Sequence, residues 1–172
     1  EAHPFSLSNR PDGRGLRLSI KAVGDFTRRI PALQPGTPVV IDGPHGVFTA
    51  RRCASEKVLL IAGGIGITPI RSLAEELVAA GRSAVLLYGN RNADGIVFRA
   101  ELDALAARSG GRLRVTHVLS HDPGWTGEKG YIDRDHLARL VPDWAEREVF
   151  LCGPPVMMKG VRSALSALGV PR

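Results

Sequence analysis

The residues best suited to chemistry lie in one loop, 63–69, which has the sequence "GGIGITP" and follows an apolar run. Glycine tolerates positive φ and lets a ligand approach the backbone, so Gly63, Gly64 and Gly66 permit both. Thr68 is a good N-cap, and the proline after it loses no hydrogen bond at the first helical position. The free amides of a helix starting there suit a phosphate or pyrophosphate. A tight strand-to-helix turn without a ligand explains the same residues.

This loop needs a buried strand before it and a helix after it. Four apolar stretches have the length and composition of strands, and each is followed by helical spacing of apolar residues. The strands are expected at 58–62, 84–88, 113–119 and 149–152, and the helices at 69–80, 97–108, 133–140 and 155–168. This βαβ order predicts a doubly wound parallel sheet with right-handed crossovers.

The chain before this alternation has a different pattern. Residues 16–23 alternate apolar and polar side chains, and residues 38–46 form an apolar run that closes on a Gly-Pro turn. Both patterns indicate β-strands. A polar stretch without periodicity, 49–57, separates the two parts of the chain. We therefore expect β structure before this stretch and an α/β unit after it.

The composition and charge of the chain disfavour some classes of function. The 172 residues carry a formal net charge of +6, but the arginines are scattered and the aromatic residues few, which disfavours nucleic-acid binding. Anionic cofactors, an acidic partner or an anionic membrane surface explain the charge as well. The cysteines, histidines and acidic residues have no metal-ligand or triad spacing, so we expect no metal site. We expect no signal peptide and no transmembrane segment, because no apolar run approaches the ~20 residues that cross a bilayer.

Six stretches in one order carry a resemblance to a known family. They are "HPFSLSN" (3–9), "GDFTRRI" (24–30), "DGPHG" (42–46), "GGIGITP" (63–69), "YGNRNADGIVFRAEL" (88–102) and "FLCGPPVMM" (150–158). Together they resemble the ferredoxin–NADP⁺ reductase superfamily of flavoenzymes, most closely the FAD/NAD(P)H dehydrogenase domains of bacterial ferric reductases and NADPH oxidases. The resemblance implies a partial antiparallel FAD-binding β-barrel in residues 1–52 and an NAD(P)-binding α/β domain in residues 53–172. It also implies the middle and end of a longer polypeptide, because the barrel strands are too few.

The resemblance assigns the first of these stretches to FAD. The strand that carries His3, Pro4, Phe5 and Ser6 lies along the cofactor in that family. It implies that Phe5 packs on the flavin and that Ser6 donates a hydrogen bond near the flavin N5. It places His3 near the pyrophosphate, where an arginine is usual. A core phenylalanine and a plain strand hydroxyl are the alternatives for Phe5 and Ser6.

The next stretches extend the same cofactor site. By resemblance, Ile20 and Lys21 flank the ribityl chain and the phosphate. Gly24 makes a turn, and Phe26 and Thr27 open a short helix whose amides face the pyrophosphate. A helix cap with no ligand is the alternative for Thr27.

The nicotinamide nucleotide is implied to bind at the loop 63–69, with Thr68 reaching the nicotinamide ribose or amide. The second strand ends at Asn90 and Arg91, where a doubly wound sheet selects the adenosine ribose. Arg91, with Arg99 further on, suits a 2′-phosphate, so NADPH is favoured over NADH. The alternative is that both arginines are solvated charges at the end of a helix and bind no ligand.

The last strand closes on Cys152, Gly153 and Pro154. The resemblance places Cys152 over the nicotinamide C4, where it aligns the ring and acts as neither nucleophile nor metal ligand. A buried structural cysteine is the alternative. Cys152 and Ser6 are thus the residues assigned to the reacting groups. No general base is named, because the cofactor performs the reaction while the protein orients it.

The implied function is a flavin-dependent oxidoreductase that takes a hydride from NADPH, or alternatively NADH, to FAD. Its electrons would pass to haem, ferric iron or an iron–sulfur partner, and the haem would lie in a membrane domain. The location implied is cytoplasmic, either free or on the cytoplasmic side of a membrane protein. A nucleotide-binding or regulatory module that kept the fold without catalysis is the alternative.

Overall fold

The computed structural model describes residues 3–170, so the outermost residues of both predicted domains lie outside the described residues. Its main feature is a parallel sheet in the order β4-β3-β2-β1-β5. The strands are β1 Lys57–Gly63, β2 Ser83–Asn90, β3 Leu113–Leu119, β4 Glu128–Lys129 and β5 Glu148–Cys152. The four strands predicted from sequence are confirmed. The two-residue strand β4 is additional, since it is too short to show a pattern.

Helices alternate with these strands as the periodicity predicts. The helices are α1 Asp25–Arg29, α2 Ile67–Ala79, α3 Arg99–Arg108, α4 Arg134–Leu140 and α5 Pro155–Ala167. Helix α2 starts two residues earlier than expected, because a 3₁₀ turn at Gly64–Gly66 runs directly into it. Among the described residues, no helix has the length and apolar character needed to cross a membrane.

Two separate apolar clusters pack on opposite faces of the sheet. Successive side chains of a strand point to opposite faces, so Leu60 joins the cluster of α2 and α3, and Leu59 joins that of α4 and α5. The helices therefore cover both faces, and the doubly wound α/β prediction is confirmed. Strands β1 and β2 read as continuous apolar runs because both of their faces are buried.

The order of the strands creates one reversal point in this sheet. The chain progresses from β1 through β2 and β3 to β4 and then returns to the other side of β1 with β5. Ligands of open α/β sheets bind outside the carboxyl ends of the strands at such a reversal. The structure thus singles out the carboxyl ends of β1 and β5.

The predicted antiparallel barrel is not formed in the described part of residues 1–52. Residues 16–23 and 38–46 are not strands, and the pairing found here is one isolated antiparallel bridge between Leu7 and Leu18. A strand needs a neighbour to satisfy its backbone groups, and apart from the contact around the Leu7–Leu18 bridge the described residues supply none for these stretches. Val40 is consequently fully exposed. The domain boundary between residues 52 and 53 stays a prediction, although Cys53 is buried in the α/β core.

An ion pair at the start of β5 predicts how stability depends on pH. Arg147, 8% exposed, donates to Asp143 at 2.8 and 2.9 Å, and these hydrogen bonds lower the pKa of Asp143. A lowered carboxyl pKa stabilises the fold above the unfolded pKa, and this contribution is lost as the pH falls through the folded pKa. We expect Asp143→Asn to cost about 2 kcal/mol of unfolding free energy at neutral pH. The exposed control Asp103→Asn should cost little.

Urea unfolding of both variants across the acid range measures this effect. The difference between Asp143→Asn and the wild type should shrink as the pH falls below about 4. A difference that stays constant with pH would show that the charge of Asp143 is not what stabilises this strand.

Candidate functional site

The carboxyl ends of β1 and β5 meet with their backbones in close contact. A Cβ atom built on Gly66 would lie 2.3 Å from the carbonyl oxygen of Cys152. A Cβ atom on Gly153 would lie 3.1 Å from the backbone nitrogen of Gly63. Real side chains cannot occupy either position without moving the backbone opposite. Glycine is therefore required here so that the loop after β1 can pack against the loop after β5.

Gly64 has a different environment from its neighbours. Its φ is +51°, and a Cβ atom built there would meet no atom within 4 Å. Gly63 and Gly66 have φ of −129° and −59°, so the predicted positive φ is found at Gly64 alone of the three. The sequence interpretation that all three glycines open the backbone to a ligand is thus correct in geometry only for Gly64. Gly63 and Gly66 face protein atoms.

Thr68 is not the N-cap of α2, so that prediction is wrong. The N-cap is Gly66, and the Thr68 side chain is buried in the first turn, where its Oγ1 donates to the Ile65 carbonyl at 3.0 Å. The reason is the continuous 3₁₀ turn, which starts helical backbone before the threonine and directs its hydroxyl back onto the preceding turn. Contact between Thr68 and the nicotinamide ribose stays a prediction.

A methionine forms the floor beneath the strand ends. A Cβ atom on Gly63 would lie 2.1 Å from the Met157 Sδ, one on Gly153 3.2 Å from it, and one on Gly89 3.7 Å from the Met157 Cε. Three neighbouring strands, β5, β1 and β2, thus end on or next to glycines that leave room for one thioether. Sequence analysis missed Gly89 and this arrangement, because the spacing of the glycines across strands depends on register.

Cys152 ends β5 and is partly buried at the crevice. Burial raises the pKa of its thiol, so the thiol is neutral at physiological pH. A neutral thiol is a poor nucleophile and a poor metal ligand, which agrees with an orienting role. Among residues 3–170, no group of three or more histidine, cysteine or acidic side chains could hold a metal ion. Pro154, the next residue but one, is exposed at the N-cap of α5.

The end of β2 lies beside this crevice. The Tyr88 hydroxyl donates to the Gly64 carbonyl at 3.2 Å and so ties β2 to the glycine loop. The side-chain nitrogen of Asn90 is buried without a hydrogen-bond partner, and Arg91 is exposed. The Arg99 guanidinium lies 5.4 Å from the centre of the Trp125 ring. Arg91 directly follows the end of β2, whereas the Arg99 side chain packs on the Trp125 ring.

Three aromatic rings group together among the residues predicted to bind FAD. The rings of His3 and Phe26 stack with centroids 3.7 Å apart, and Phe5 lies 6.5 Å from Phe26. Phe5 is 37% and Phe26 42% exposed, so neither is a core residue. Pro4 and Ser6 are also exposed. Exposed aromatic side chains and an exposed serine hydroxyl in one segment suit a planar ring system with polar edges, such as a flavin.

The remaining predicted FAD residues have mixed surroundings. Ile20 is half-buried and Lys21 is exposed. Gly24 is the N-cap of α1, and the Thr27 Oγ1 accepts from its amide at 2.9 Å and donates to its carbonyl at 3.1 Å. Thr27 therefore closes its own helical turn, as the cap alternative expects. A role of these residues toward pyrophosphate stays a prediction.

The crevice at the ends of β1, β2 and β5 fits a dinucleotide. Gly64 leaves open space over the backbone, the first amides of α2 point out of the helix, and the Asn90 amide group has an unsatisfied donor. These features accept an anion at the helix start and a polar ribose at the end of β2. The rim of the site is basic where Arg91 is exposed.

Comparison with known proteins places these features in context. Residues 60–163 match the model of the oxidoreductase NAD-binding domain. Ferredoxin–NADP reductase B of Sorangium cellulosum is 35% identical over 181 residues, a match that covers 98% of this chain and 73% of that protein. NADH-cytochrome b5 reductase 1 of Pyricularia oryzae is 33% identical over 173 residues. That match covers 96% of this chain and 56% of the reductase, so the chain spans little more than half of this relative.

Solved structures share the fold over most of the chain. The flavohaem-like FAD/NAD-binding domain of nitric oxide dioxygenase from Vibrio cholerae superposes with a TM-score of 0.81 at 25% identity, covering 98% of this chain and 72% of that one. The cytochrome b5 reductase domain of Ulva prolifera nitrate reductase gives 0.78 at 28% identity, covering 87% and 63%. The resemblance to ferric reductases and NADPH oxidases in particular stays a prediction.

Proposed function

Because this chain belongs to the oxidoreductase NAD-binding domain family, within the ferredoxin–NADP⁺ reductase superfamily as its motifs predict, we propose that it passes a hydride from a nicotinamide nucleotide to FAD. The observation that carries the proposal is the meeting of the glycine loop and the Cys152 loop at the reversal point of the sheet. Both loops there present backbone rather than bulky side chains. The nucleotide can therefore lie flat across the strand ends.

The proposed roles of the residues rest on the family resemblance and on these positions. The first amides of α2 bind the pyrophosphate over Gly64, and Arg91 binds the adenosine ribose or its phosphate. Cys152 orients the nicotinamide ring through its neutral thiol. When bound, FAD supplies a hydride acceptor that can release electrons singly. Phe5 would pack against it, and the Ser6 hydroxyl would donate a hydrogen bond to its edge.

The acceptor of the electrons is proposed to be a haem or iron–sulfur protein or domain, or ferric iron. The names of the relatives support an electron-transfer partner, since they include a cytochrome b5 reductase and a ferredoxin reductase. The net charge of +6 favours an acidic partner, because complementary charge speeds the encounter. The reaction is proposed for the cytoplasm or the cytoplasmic side of a membrane protein.

The second candidate function is a nucleotide-binding module without catalysis. It is favoured by one observation: the described residues before β1 form no sheet that would enclose a flavin. Calorimetric titration with NADP⁺ and NAD⁺ tests the part that both candidates share. We expect saturable binding of at least one nucleotide, and a folded chain that binds neither would contradict both candidates.

The preference for NADPH rests on Arg91 and gives a testable expectation. Arg91→Glu should weaken NADP⁺ binding about tenfold or more relative to NAD⁺, because it replaces a guanidinium with a charge that repels the 2′-phosphate. The matched control is Arg134→Glu, which makes the same charge change on the exposed side of α4. Titration calorimetry of both nucleotides measures the ratio. An Arg91→Glu ratio equal to that of the control would remove Arg91 from this role.

A further inference from the structure

The segment after the predicted flavin strand is tied to the α/β domain by a buried polar network. Ser8 is fully buried, and its amide donates to the Arg17 carbonyl at 2.8 Å. The Asn9 carbonyl accepts from the Ser72 Oγ at 2.8 Å, and the Arg10 amide donates to the Glu75 Oε2 at 2.8 Å. Residues 8–10 therefore follow helix α2 closely, although they belong to no regular element.

Arg71 is the centre of this network. Its side chain is 8% exposed, and its guanidinium donates to the Ser8 carbonyl. The same guanidinium pairs with Glu75 at 2.9 Å and with Glu101 at 2.7 Å. A buried guanidinium is costly unless all of its donors are used, so this arrangement fixes the Ser8 carbonyl as well as the two carboxylates.

A second arginine and an aromatic ring complete the arrangement. Arg17 donates to the Ser8 carbonyl at 3.2 Å and to Glu101 at 3.0 Å. The Phe98 ring lies 5.1 Å from the Arg17 guanidinium and 5.4 Å from that of Arg71. Phe98 holds this place with φ of +63°, an unusual conformation for a residue with a side chain. Helix α2 of the α/β domain thus contacts the Ser8 carbonyl directly through Arg71, and α3 contacts both arginines through Glu101.

The position of this contact links the two proposed cofactor sites. Arg71 lies one helical turn after Thr68, in the helix that begins at the glycine loop. Ser8 lies two residues after Ser6, the residue proposed to meet the flavin edge. A rigid helix and a short extended segment therefore connect the nucleotide loop to the flavin strand through one guanidinium.

We propose that Arg71 is a positioning residue that sets the distance between the flavin strand and the nicotinamide loop. This inference rests on the proposed function, since it concerns the geometry of that transfer. Hydride transfer requires reacting atoms about 3–3.5 Å apart, and a misplacement of 1 Å can cost on the order of 100-fold in rate. A loosened Ser8 carbonyl should therefore affect the rate more than the binding of either cofactor.

The test compares Arg71→Lys with the matched control Arg82→Lys. Lysine keeps the charge at 71 but cannot bind two carboxylates and a carbonyl in a fixed fork. Arg82 also donates to a backbone carbonyl, that of Cys53 at 2.7 Å, but it lies beyond the other end of α2. In Arg71→Lys, we expect the Ser8 and Arg10 amides to exchange hydrogen about tenfold faster or more. The control should leave both amides unchanged.

The kinetic part of the test uses the chain with FAD added. Arg71→Lys should slow flavin reduction about tenfold, with the dissociation constant for NADP⁺ changed less than about twofold. Unchanged amide exchange would overturn the proposal, and so would faster exchange with a wild-type reduction rate. A wild-type chain that binds nucleotide but is not reduced would contradict the proposed function instead. In that case hydrogen exchange of the Ser8 and Arg10 amides would by itself show whether Arg71 fixes residues 8–10.

Discussion

Alanine at Gly64 is expected to weaken nucleotide binding strongly without unfolding the chain, whereas alanine at Gly66 is expected to destabilise the fold. At Gly64 an added methyl group would meet no protein atom and would project into the space proposed for the pyrophosphate. The positive φ of +51° costs a side chain roughly 1–2 kcal/mol, which a stable domain tolerates. We expect the dissociation constant for NADP⁺ to rise about 100-fold, or ~2.7 kcal/mol.

Gly66→Ala makes the same chemical change two residues away and serves as the matched variant. Its methyl group would lie 2.3 Å from the Cys152 carbonyl oxygen, so the loops after β1 and β5 would have to separate. We expect a loss of about 3 kcal/mol in the free energy of unfolding. Thermal melting and calorimetric titration of both variants separate the two effects. Wild-type affinity in a folded Gly64→Ala would contradict the proposed path of the pyrophosphate.

Cys152→Ala is expected to slow flavin reduction by about 10- to 100-fold while leaving the affinity for NADP⁺ nearly intact. The thiol contributes orientation, and an interaction made mainly in the transition state affects the rate constant more than binding. Burial raises the pKa of this thiol, so the wild-type rate should show no step from thiolate formation between about pH 6 and 8.

Cys53→Ala is the matched control for this prediction, because Cys53 is buried in the core at 5% exposure and lies outside the crevice. It should lower thermal stability and leave the reduction rate unchanged in the folded protein. Stopped-flow reduction under anaerobic conditions measures both variants. If Cys152→Ala reacts at the wild-type rate, or only melts earlier as Cys53→Ala does, then Cys152 is a structural residue.

The α/β part of the fold was predictable because its signals are local. The apolar runs and helical spacing after Val58 identify every long strand and helix, and the glycines and Cys152 mark the ends of β1 and β5. Strands β1 and β2 are buried on both faces, which makes their sequences distinct. These local signals were therefore enough to locate the elements along the chain.

The prediction of barrel strands was wrong for the described residues, and the reason is physical. Alternation in 16–23 shows only that one face could be buried, and pairing depends on a neighbouring strand that the described residues do not provide. Strand propensity is a preference for a pleated surface with neighbours rather than a property of the segment alone. The exposed Val40 is the direct consequence.

The sequence predicted which residues form the site better than it predicted what each of them does. Sequence gives Gly63, Gly64 and Gly66 the same freedom, but only three-dimensional packing shows which of them faces protein and which faces open space. The network around Arg71 could not be predicted either. It joins residues 63 positions apart, Ser8 and Arg71, and nothing in the local pattern distinguishes Arg71 from an exposed arginine of a helix.

Anaerobic reduction of FAD by NADPH in the presence of this chain tests the proposed function most directly. Loss of the oxidised flavin's visible absorbance, followed by stopped flow, should proceed at a rate that saturates with NADPH. It should be far faster than the reaction of NADPH with free FAD. Saturable nucleotide binding by calorimetry, together with flavin reduction no faster than in free solution, would contradict the proposal and leave the non-catalytic nucleotide-binding module.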